Sequence, residues 1–218
     1  MLSQAVQDYL KTIFHLQKDG PVSTTDLANE LKLSSASVTG MLKRLDQLAL
    51  VNYNSYKGVT LSDLGNKTAI SIIRNHRLLE TYFKNILGYS LDKIHEEACM
   101  LEHYISEHLT NKIDEILEHP KYDPHGHPIP TKDGKIEDTS KDILMCDIVP
   151  KQTVIIRRLE DHNSELLAYL EQIELLPNVK VEVVEIAPFQ GPLTIIYNKE
   201  KKLISYEIAR NLFVEPIK

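Results

Sequence analysis

The apolar residues of this chain change their period once, and that change limits what it can fold into. Up to about residue 118 they recur at spacings of three and four, the stripe of amphipathic helices. From Ile143 onward they come in short runs, QTVIIRRL, KVEVVEI, PLTIIYN, KKLISYEI and NLFVEPI, interrupted by one helical stretch, SELLAYLEQIEL. Between the two lies HPKYDPHGHPIPTKDGKIEDTSKD, residues 119–142, rich in Pro, Gly and charge. Its first part reads as an ordered loop and its second part as a linker. The expectation is a mainly α portion followed by a small β-barrel, and 218 residues leave room for two domains or more.

The α portion begins with QAVQDYLKTIFHLQ, residues 4–17, in which Ala5, Val6, Tyr9, Leu10, Ile13 and Leu16 share a face before Asp19-Gly20-Pro21 stops the helix. Ser23-Thr24-Thr25-Asp26 then offers an N-cap with an acidic residue in the first turn, ahead of a short helix carrying Leu27, Ala28 and Leu31. Ser34 and Ser35 can cap a third helix whose apolar positions are Val38, Leu42, Leu45 and Leu48. Its other face, Ser35, Ser37, Thr39, Gly40, Lys43 and Arg44, is small, polar and basic. Two short helices joined by a few residues, the second with such a face, predict a helix-turn-helix able to enter a DNA major groove.

LVNYNSYKGVTLS follows as a hairpin wing turning at Lys57-Gly58, and Tyr53, Asn54, Tyr56 and Lys57 at its tip can donate to phosphates. Ser62 caps a long connecting helix over residues 63–86, ended by Leu87-Gly88. Leu91 to Glu118 reads as one further continuous helix, with Ile94, Ala98, Leu101, Ile105, Leu109, Ile113 and Ile116 on its stripe. That stripe is longer than one small domain needs and suits packing on a second copy across a two-fold.

A formal net charge of -6 argues against a uniformly basic nucleic-acid binder. The charge is unevenly placed, however: residues 1–77 carry nine Lys and Arg against six Asp and Glu, a net of +3, which leaves -9 for the remainder. Cys99 and Cys146 are the two cysteines, and the sequence has neither an apolar leader nor a run of apolar residues long enough to span a bilayer. The expectation is a cytoplasmic chain without a membrane partner, in which a thiol is a buried small hydrophobe or a metal ligand.

Histidine is the unusual component, with nine residues, of which His95, His103, His108, His119 and His125 cluster and His127 follows at once. In HEEACMLEH, residues 95–103, His95, Cys99, Glu102 and His103 fall at i, i+4, i+7 and i+8, on one helix face offset by one residue from the apolar stripe. Imidazole, thiolate and carboxylate together make a transition-metal donor set. His76 and Glu80 are likewise i, i+4 on the preceding helix, and Asp8 can complete the first cluster if the first helix packs alongside. Taken singly, each residue is more economically a core thiol, a satisfied histidine or part of a solvated face. Taken together, four donors on one face exceed what solvation requires.

With these residues in view, the chain resembles the diphtheria toxin repressor family from end to end. The likeness is carried by DYLKTIFHL, SSASVTGMLKRL, RNHRLLE, HEEACMLEH and HGHPIP, with a small barrel after them. The resemblance implies a winged helix-turn-helix domain at 1–70 and a helical metal-binding and dimerisation domain at 71–130. It further implies a linker at 131–142 and, at 143–218, an SH3-like barrel similar to ferrous-transport-associated modules. It implies a primary metal site of Asp8, Cys99, Glu102 and His103 and an ancillary site of His76, Glu80 and His95. Asp123, His125 and Glu160 are further candidate ligands from the loop and the barrel.

Iron-responsive relatives typically pair Met with Cys at positions 8 and 99, and manganese-responsive ones pair Asp with Glu. Asp8 with Cys99 is a hybrid. Lys11 stands where two-domain manganese regulators place a Glu, which puts a binuclear arrangement through that residue in doubt. The thiolate favours Fe²⁺, Co²⁺ or Zn²⁺ and the Asp8 carboxylate suits Mn²⁺.

The implied function is a homodimeric repressor that binds double-stranded operator DNA when loaded with Mn²⁺ or Fe²⁺. It would control metal-uptake genes, with no small-molecule substrate and no catalysis. The ion would tie Asp8 on the DNA-binding module to the dimer helix, and residues near Leu2 to Ala5 would rearrange. A metalloenzyme fits poorly, because HEEAC lacks the second His of HExxH and position 100, three before His103, is Met where di-iron bundles need Glu. A winged-helix regulator sensing an organic ligand is the other alternative, and metal-independent operator binding would distinguish it.

Overall fold

The computed structural model of the protein describes residues 2–17 and 20–217, so that Asp19 of the first helix stop lies outside the described residues. The chain forms two compact units. The first comprises Met1–His76, Leu101–Ile105 and Pro130–Lys135, the second Arg77–Met100, Ser106–Ile129 and Ile136–Lys218.

In the first unit, α1 (Gln4–Leu16) buries Val6, Tyr9, Leu10 and Ile13. Helix α2 (Thr24–Leu31) starts where the Ser23 side chain accepts from the Asp26 amide, and α3 (Ser35–Gln47) where Ser34 accepts from Ser37. Each cap satisfies one of the amides that a helix start leaves without an intrahelical partner. Val38, Leu42 and Leu45 of α3 are fully buried beside Leu27, Leu10 and Ile13. Burial of each such side chain contributes roughly 1.5–3 kcal/mol, so these contacts dominate over helix propensity. Leu48 departs from expectation: α3 ends at Gln47, Ala49 turns left-handed at φ 55, and Leu48 is left 46% exposed.

The wing is the antiparallel pair β1 (Val51–Asn54) and β2 (Gly58–Leu61). Gly58 has φ +93, and a Cβ there would lie 2.4 Å from the Val22 carbonyl oxygen. The glycine lets β2 approach the strand-like segment before α2, where Val22 and Val59 exchange backbone hydrogen bonds of 2.8 and 2.9 Å. Helix α4 (Asp63–Asn85) follows, and both units draw on it.

The helix expected from Leu91 to Glu118 is two helices, α5 (Leu91–Leu101) and α6 (Glu107–Ile116). The Leu101 carbonyl accepts from the amides of both Tyr104 and Ile105, and Ser106 caps α6 by accepting from Leu109. A Ser-Glu start signal therefore overrode a hydrophobic period that runs on through it. Ile94, Ala98 and Ile113 of the stripe are buried, whereas Leu101, Leu109 and Ile116 are 45%, 51% and 58% exposed.

The β-rich part of the second unit is a six-stranded antiparallel sheet in the order β3-β8-β4-β5-β6-β7. Its strands are β3 (Ile143–Leu144), β4 (Gln152–Leu159), β5 (Lys180–Ile186), β6 (Leu193–Tyr197), β7 (Glu200–Ile204) and β8 (Leu212–Ile217). Helix α7 (Ser164–Gln172) is the expected helical stretch. KKLISYEI is a strand only to Ile204, because Ser205 caps the short α8 (Tyr206–Ala209).

The register of β4 against β8 shifts between Ile156 and Arg158. The buried positions of β4 accordingly move from Val154 and Ile156 to Leu159, the change of face that one extra residue imposes. The Arg157 carbonyl at this irregularity is where the 119–129 loop docks. Gly126, at φ +90, would set a Cβ 1.9 Å from that oxygen, and the Leu159 amide donates to the His125 carbonyl at 2.8 Å. Only glycine allows the loop to lie so close.

Candidate metal centres and nucleic-acid interface

A first cluster lies within the first unit. The stripe that buries Val6, Tyr9, Leu10 and Ile13 leaves Gln7, Asp8 and Lys11 on the flank of α1. They meet Glu102 and His103, which sit in the turn after α5 rather than on its face, with the Glu102 carbonyl accepting from Asn75 Nδ2 at 3.2 Å. His103 Nε2 is 3.1 Å from Asp8 Oδ1 and 3.4 Å from Glu102 Oε1, and its Nδ1 is 3.2 Å from Gln7 Oε1. His76 Nδ1 approaches Glu102 Oε2 at 2.6 Å. Lys11 Nζ donates to both Glu102 oxygens, at 2.9 and 2.8 Å.

Burial, reinforced by the Glu102 charge, raises the Asp8 carboxyl above its ordinary value even though His103 and Lys11 pull it down. Burial acts to raise Glu102 as well, but the His76 hydrogen bond, the His76 charge and Lys11 outweigh it, and Glu102 lies below its ordinary value. A cavity of about 410 Å³, lined in part by Leu2, Gln7 and Asn75, reaches the Glu102 and His103 side chains.

A second cluster lies within the second unit. Glu80 Oε1 is 3.2 Å from His95 Nδ1 and Glu80 Oε2 is 3.6 Å from His125 Nδ1. Glu80, His125 and Asp161 each offer a ligand atom within 4.8 Å of the others, and Asp123, His125 and His127 form an overlapping group. Asp123 Oδ1 accepts the amides of His125 and His127 at 2.9 Å each, which fixes the loop. Its Oδ2 lies 3.6 Å from Arg77 Nε and has no hydrogen-bond partner.

His125 is 0% exposed, and neither of its ring nitrogens has a hydrogen-bond partner. A buried imidazole left unsatisfied among carboxylates is costly unless something completes it, and a cation does so with the right sign. Burial, then the neighbouring Glu80 charge, pushes the Asp123 carboxyl up to about 7. Burial would lower His125, yet the Glu80 carboxylate 3.6 Å away, followed by the Asp123 and Asp161 charges, raises it. Carboxylate and imidazole oxygens and nitrogens of this kind fit Mn²⁺ or Fe²⁺ in either cluster.

The expected ligands are therefore sorted differently from their spacing in sequence. Asp8, Glu102 and His103 come together as anticipated, and His76 joins them at Glu102. Cys99 belongs to the second unit, with Sγ 3.5 Å from His95 Nε2. Glu80 and His95 meet, and Asp123 and His125 belong to the same cluster. Asp161, absent from the sequence reading, places a carboxylate within 4.8 Å of Glu80 and His125, while its neighbour Glu160 groups with Asp161 and exposed His162. The signal that could have found Asp161 is the i+1 ambiguity of a residue leaving a bulged strand, which sequence spacing cannot resolve.

On α3, Ser35, Ser37, Gly40, Lys43 and Arg44 are exposed and Thr39 is half-buried, its hydroxyl donating to the Ser35 carbonyl at 2.8 Å. A Cβ placed at Gly40 would meet nothing within 4 Å. On the wing, Lys57 is exposed and Tyr56 is 97% exposed.

A helix that offers small polar groups and two cations to a groove, on a chain that also gathers buried carboxylates and imidazoles, His125 among them without a hydrogen-bond partner, defines a metal-responsive DNA-binding regulator. Residues 1–59 match the family "Iron dependent repressor, N-terminal DNA binding domain" and residues 62–131 match "Iron dependent repressor, metal binding and dimerisation domain". Residues 143–216 match the FeoA domain.

The chain is 28% identical to the diphtheria toxin repressor of Corynebacterium glutamicum, over 99% of this chain and 98% of that protein. It is 26% identical to the iron-dependent repressor IdeR of Mycobacterium tuberculosis, over 99% of each. A solved manganese-dependent transcriptional repressor in complex with manganese superposes with a TM-score of 0.87 at 30% identity, covering 97% of this chain and all of that one. The chain belongs to the diphtheria toxin repressor family. Among the described residues no helix is long and apolar enough to cross a membrane.

Proposed function

We infer that this chain is a cytoplasmic, homodimeric repressor that binds operator DNA when loaded with Mn²⁺ or Fe²⁺, controls metal-uptake genes and carries out no catalysis. The observation that carries the reading is His125, fully buried with both ring nitrogens unpartnered beside Glu80, Asp123 and Asp161. A purely structural cluster would have satisfied those nitrogens internally.

In the second unit, Glu80, His125 and Asp161 would hold the ion, Asp123 would hold the loop amides and face the cluster, and His95 would orient Glu80. In the first unit, Asp8 on α1 and Glu102 and His103 after α5 would hold another ion. A divalent cation supplies the positive charge that lets these carboxylates ionise together. With that charge present, Asp8 and the 102–103 turn are drawn to one another, which fixes α1 and hence the helix-turn-helix packed on it.

The recognition helix would then meet bases through Ser35, Ser37, Thr39, Gly40, Lys43 and Arg44, and Tyr56 and Lys57 would hold phosphate. Exposed Leu109 and Ile116 of α6 support pairing with a second copy.

The test selects binding sites from random duplex DNA with protein plus Mn²⁺, Fe²⁺ under anaerobic conditions, or chelator. Enrichment of a palindromic site with metal alone is expected. Equal enrichment in chelator would refute the metal dependence and favour a regulator sensing something else.

A further inference from the structure

We propose that Glu171 is a positioning residue for the second cluster: with Lys84 and the Leu91 amide it forms a latch, needing no metal, that holds Asp161 where an ion can take it. The inference rests on the reading of Glu80, His125 and Asp161 as a metal site.

Asp161 comes to that site from the β-rich part of the second unit, whereas Glu80 stands on α4 and His125 on the 119–129 loop. On one side Asp161 is tied close by: two residues earlier, the Leu159 amide donates to the His125 carbonyl at 2.8 Å. One point of attachment leaves rotation about it free. The chain from residue 159 to residue 161 reaches at most about 7 Å. A turn of about 10° would therefore carry the Asp161 carboxylate by about 1 Å, when a ligand tolerates about 0.5 Å.

On the other side Asp161 leads into α7. Asn163 caps that helix by accepting the Leu166 amide at 3.0 Å, and Leu167 and Leu170 are buried, which makes α7 a stiff arm continuing from Asp161. Near its far end Glu171 gives away both carboxylate oxygens. Oε1 accepts from Lys84 Nζ in the last turn of α4, and Oε2 accepts at 2.9 Å from the amide of Leu91, the first residue of α5. That amide is one of those a helix start leaves without an intrahelical partner, and a carboxylate there also meets the positive end of the helix dipole. The Lys84 and Glu171 side chains are each 28% exposed, so solvent screens the pair only in part.

Latch and cluster are built on the same two helices, one turn apart. Glu80 and Lys84 are i, i+4 on α4, and Leu91 and His95, whose Nδ1 lies 3.2 Å from Glu80 Oε1, are i, i+4 on α5. Glu171 thus fixes α7 to the helices that carry the other side of the cluster, and rotation about the Leu159 attachment is removed before any ion arrives. The ion meets a donor already in place and does not have to order it.

The test uses the full chain and Mn²⁺ as the probe, with Asp8→Asn as the common background so that binding at the first cluster does not obscure the second. Glu171→Ala is expected to weaken Mn²⁺ binding at the second cluster by roughly tenfold, since the ion must then order Asp161 itself. Lys84→Met is expected to weaken it as well. The two variants change the nearby charge in opposite directions, so electrostatics alone would loosen binding in the first and tighten it in the second. Asp161→Ala should weaken binding strongly in the background and add little to Glu171→Ala, because a donor already out of place has little left to lose.

Thermal unfolding in chelator reports whether each variant folds, and Lys84→Met carries the test alone if Glu171→Ala does not. Background affinity in the latch variants, tighter binding in Lys84→Met, or a Glu171 effect that simply adds to that of Asp161 would overturn the proposal. If Asp161→Ala itself leaves Mn²⁺ binding unchanged, Asp161 is not a metal ligand and the functional reading of this cluster fails with the inference. If it weakens binding and the latch variants do not, the inference fails alone.

Discussion

Gly40→Ala should make the protein more stable and a worse DNA binder. Gly40 is the sixth of the thirteen residues of α3, in the helix interior, and a Cβ added there meets nothing within 4 Å. No internal contact therefore requires a glycine, and glycine in a helix interior costs about 1 kcal/mol relative to alanine. Adding the methyl should raise the unfolding temperature of the metal-free first unit by roughly 4–8 °C.

The same methyl projects toward whatever the exposed face of α3 meets. If base edges approach to van der Waals contact, it must either displace the helix or lose a contact, and one disrupted base contact is worth roughly 1–3 kcal/mol, or about five- to 150-fold in affinity. Thermal unfolding in chelator and fluorescence anisotropy with a selected site in saturating Mn²⁺ read the two effects. A variant that is stabilised yet binds the site as tightly as the parent would refute the placement of Gly40 at the DNA.

Three further outcomes test other parts of the reading. In metal-free protein the Asp123 carboxyl, pushed up to about 7, keeps a proton that the unfolded chain loses above the ordinary carboxyl value of 3.8. Stability present below that value is therefore lost at about 1.4 kcal/mol per unit as pH rises to about 7. Asp123→Asn, neutral throughout, should match the parent near pH 4 and exceed it in thermal stability in chelator at pH 7.5, while binding metal less tightly; a pH-independent difference would contradict the assignment.

Gly126→Ala places a methyl 1.9 Å from the Arg157 carbonyl at φ +90, so the loop must lift and lose the Leu159-to-His125 hydrogen bond, about 3 kcal/mol in all. It should lose one bound Mn²⁺ per subunit with the first cluster intact, and a full complement of ions would count against the second cluster. Lys57→Ala should weaken binding to all sequences alike and reduce the slope of log affinity against log salt by about one, whereas Thr39→Ala should alter which sequences are selected. The reverse pattern would exchange their roles.

The winged helix was legible because its determinants are local. Ser23, Ser34 and Ser62 stand where caps are needed, and Leu10, Leu27, Val38 and Leu42 repeat at the period that buries them. The strands of the β-rich part were legible for the same reason. What failed was local evidence of two kinds pointing in opposite directions: the stripe through residues 91–118 was read as one helix, and Ser106 ended it.

The clusters were legible only in part, since spacing on a helix names donors but not their neighbours in space. His76 and Glu80 share a face of α4, and spacing alone did not say that His76 would also approach Glu102 or that Glu80 would also approach His125. Asp161 was not named although Glu160 was, because both follow the end of β4 at Leu159 and spacing cannot say which of two adjacent carboxylates reaches Glu80 and His125.

The packing of α1 limits how an ion in the first cluster can act. Val6, Tyr9, Leu10 and Ile13 are each at most 4% exposed, in one core with Leu27, Val38, Leu42 and Leu45. Prying α1 from that core would expose four large side chains at roughly 1.5–3 kcal/mol each, comparable to the whole stability of a small domain. The helix-turn-helix and α1 must therefore move as one body, and occupancy of the cluster cannot reshape the recognition helix. What remains free to respond is what α1 touches on its polar flank: the 102–103 turn, and the segment before Gln4, where the Leu2 carbonyl accepts from Gln7 Nε2 at 3.1 Å. Gln7 also reaches His103 Nδ1, so one side chain joins the N-terminal segment to a metal donor. An ion between His103 Nε2 and Asp8 leaves Nδ1 to donate to Gln7 Oε1, so any shift of the imidazole toward the ion passes through Gln7 to the Leu2 carbonyl, and residues near Leu2 to Ala5 are expected to change position with metal while the DNA-reading surface keeps its shape.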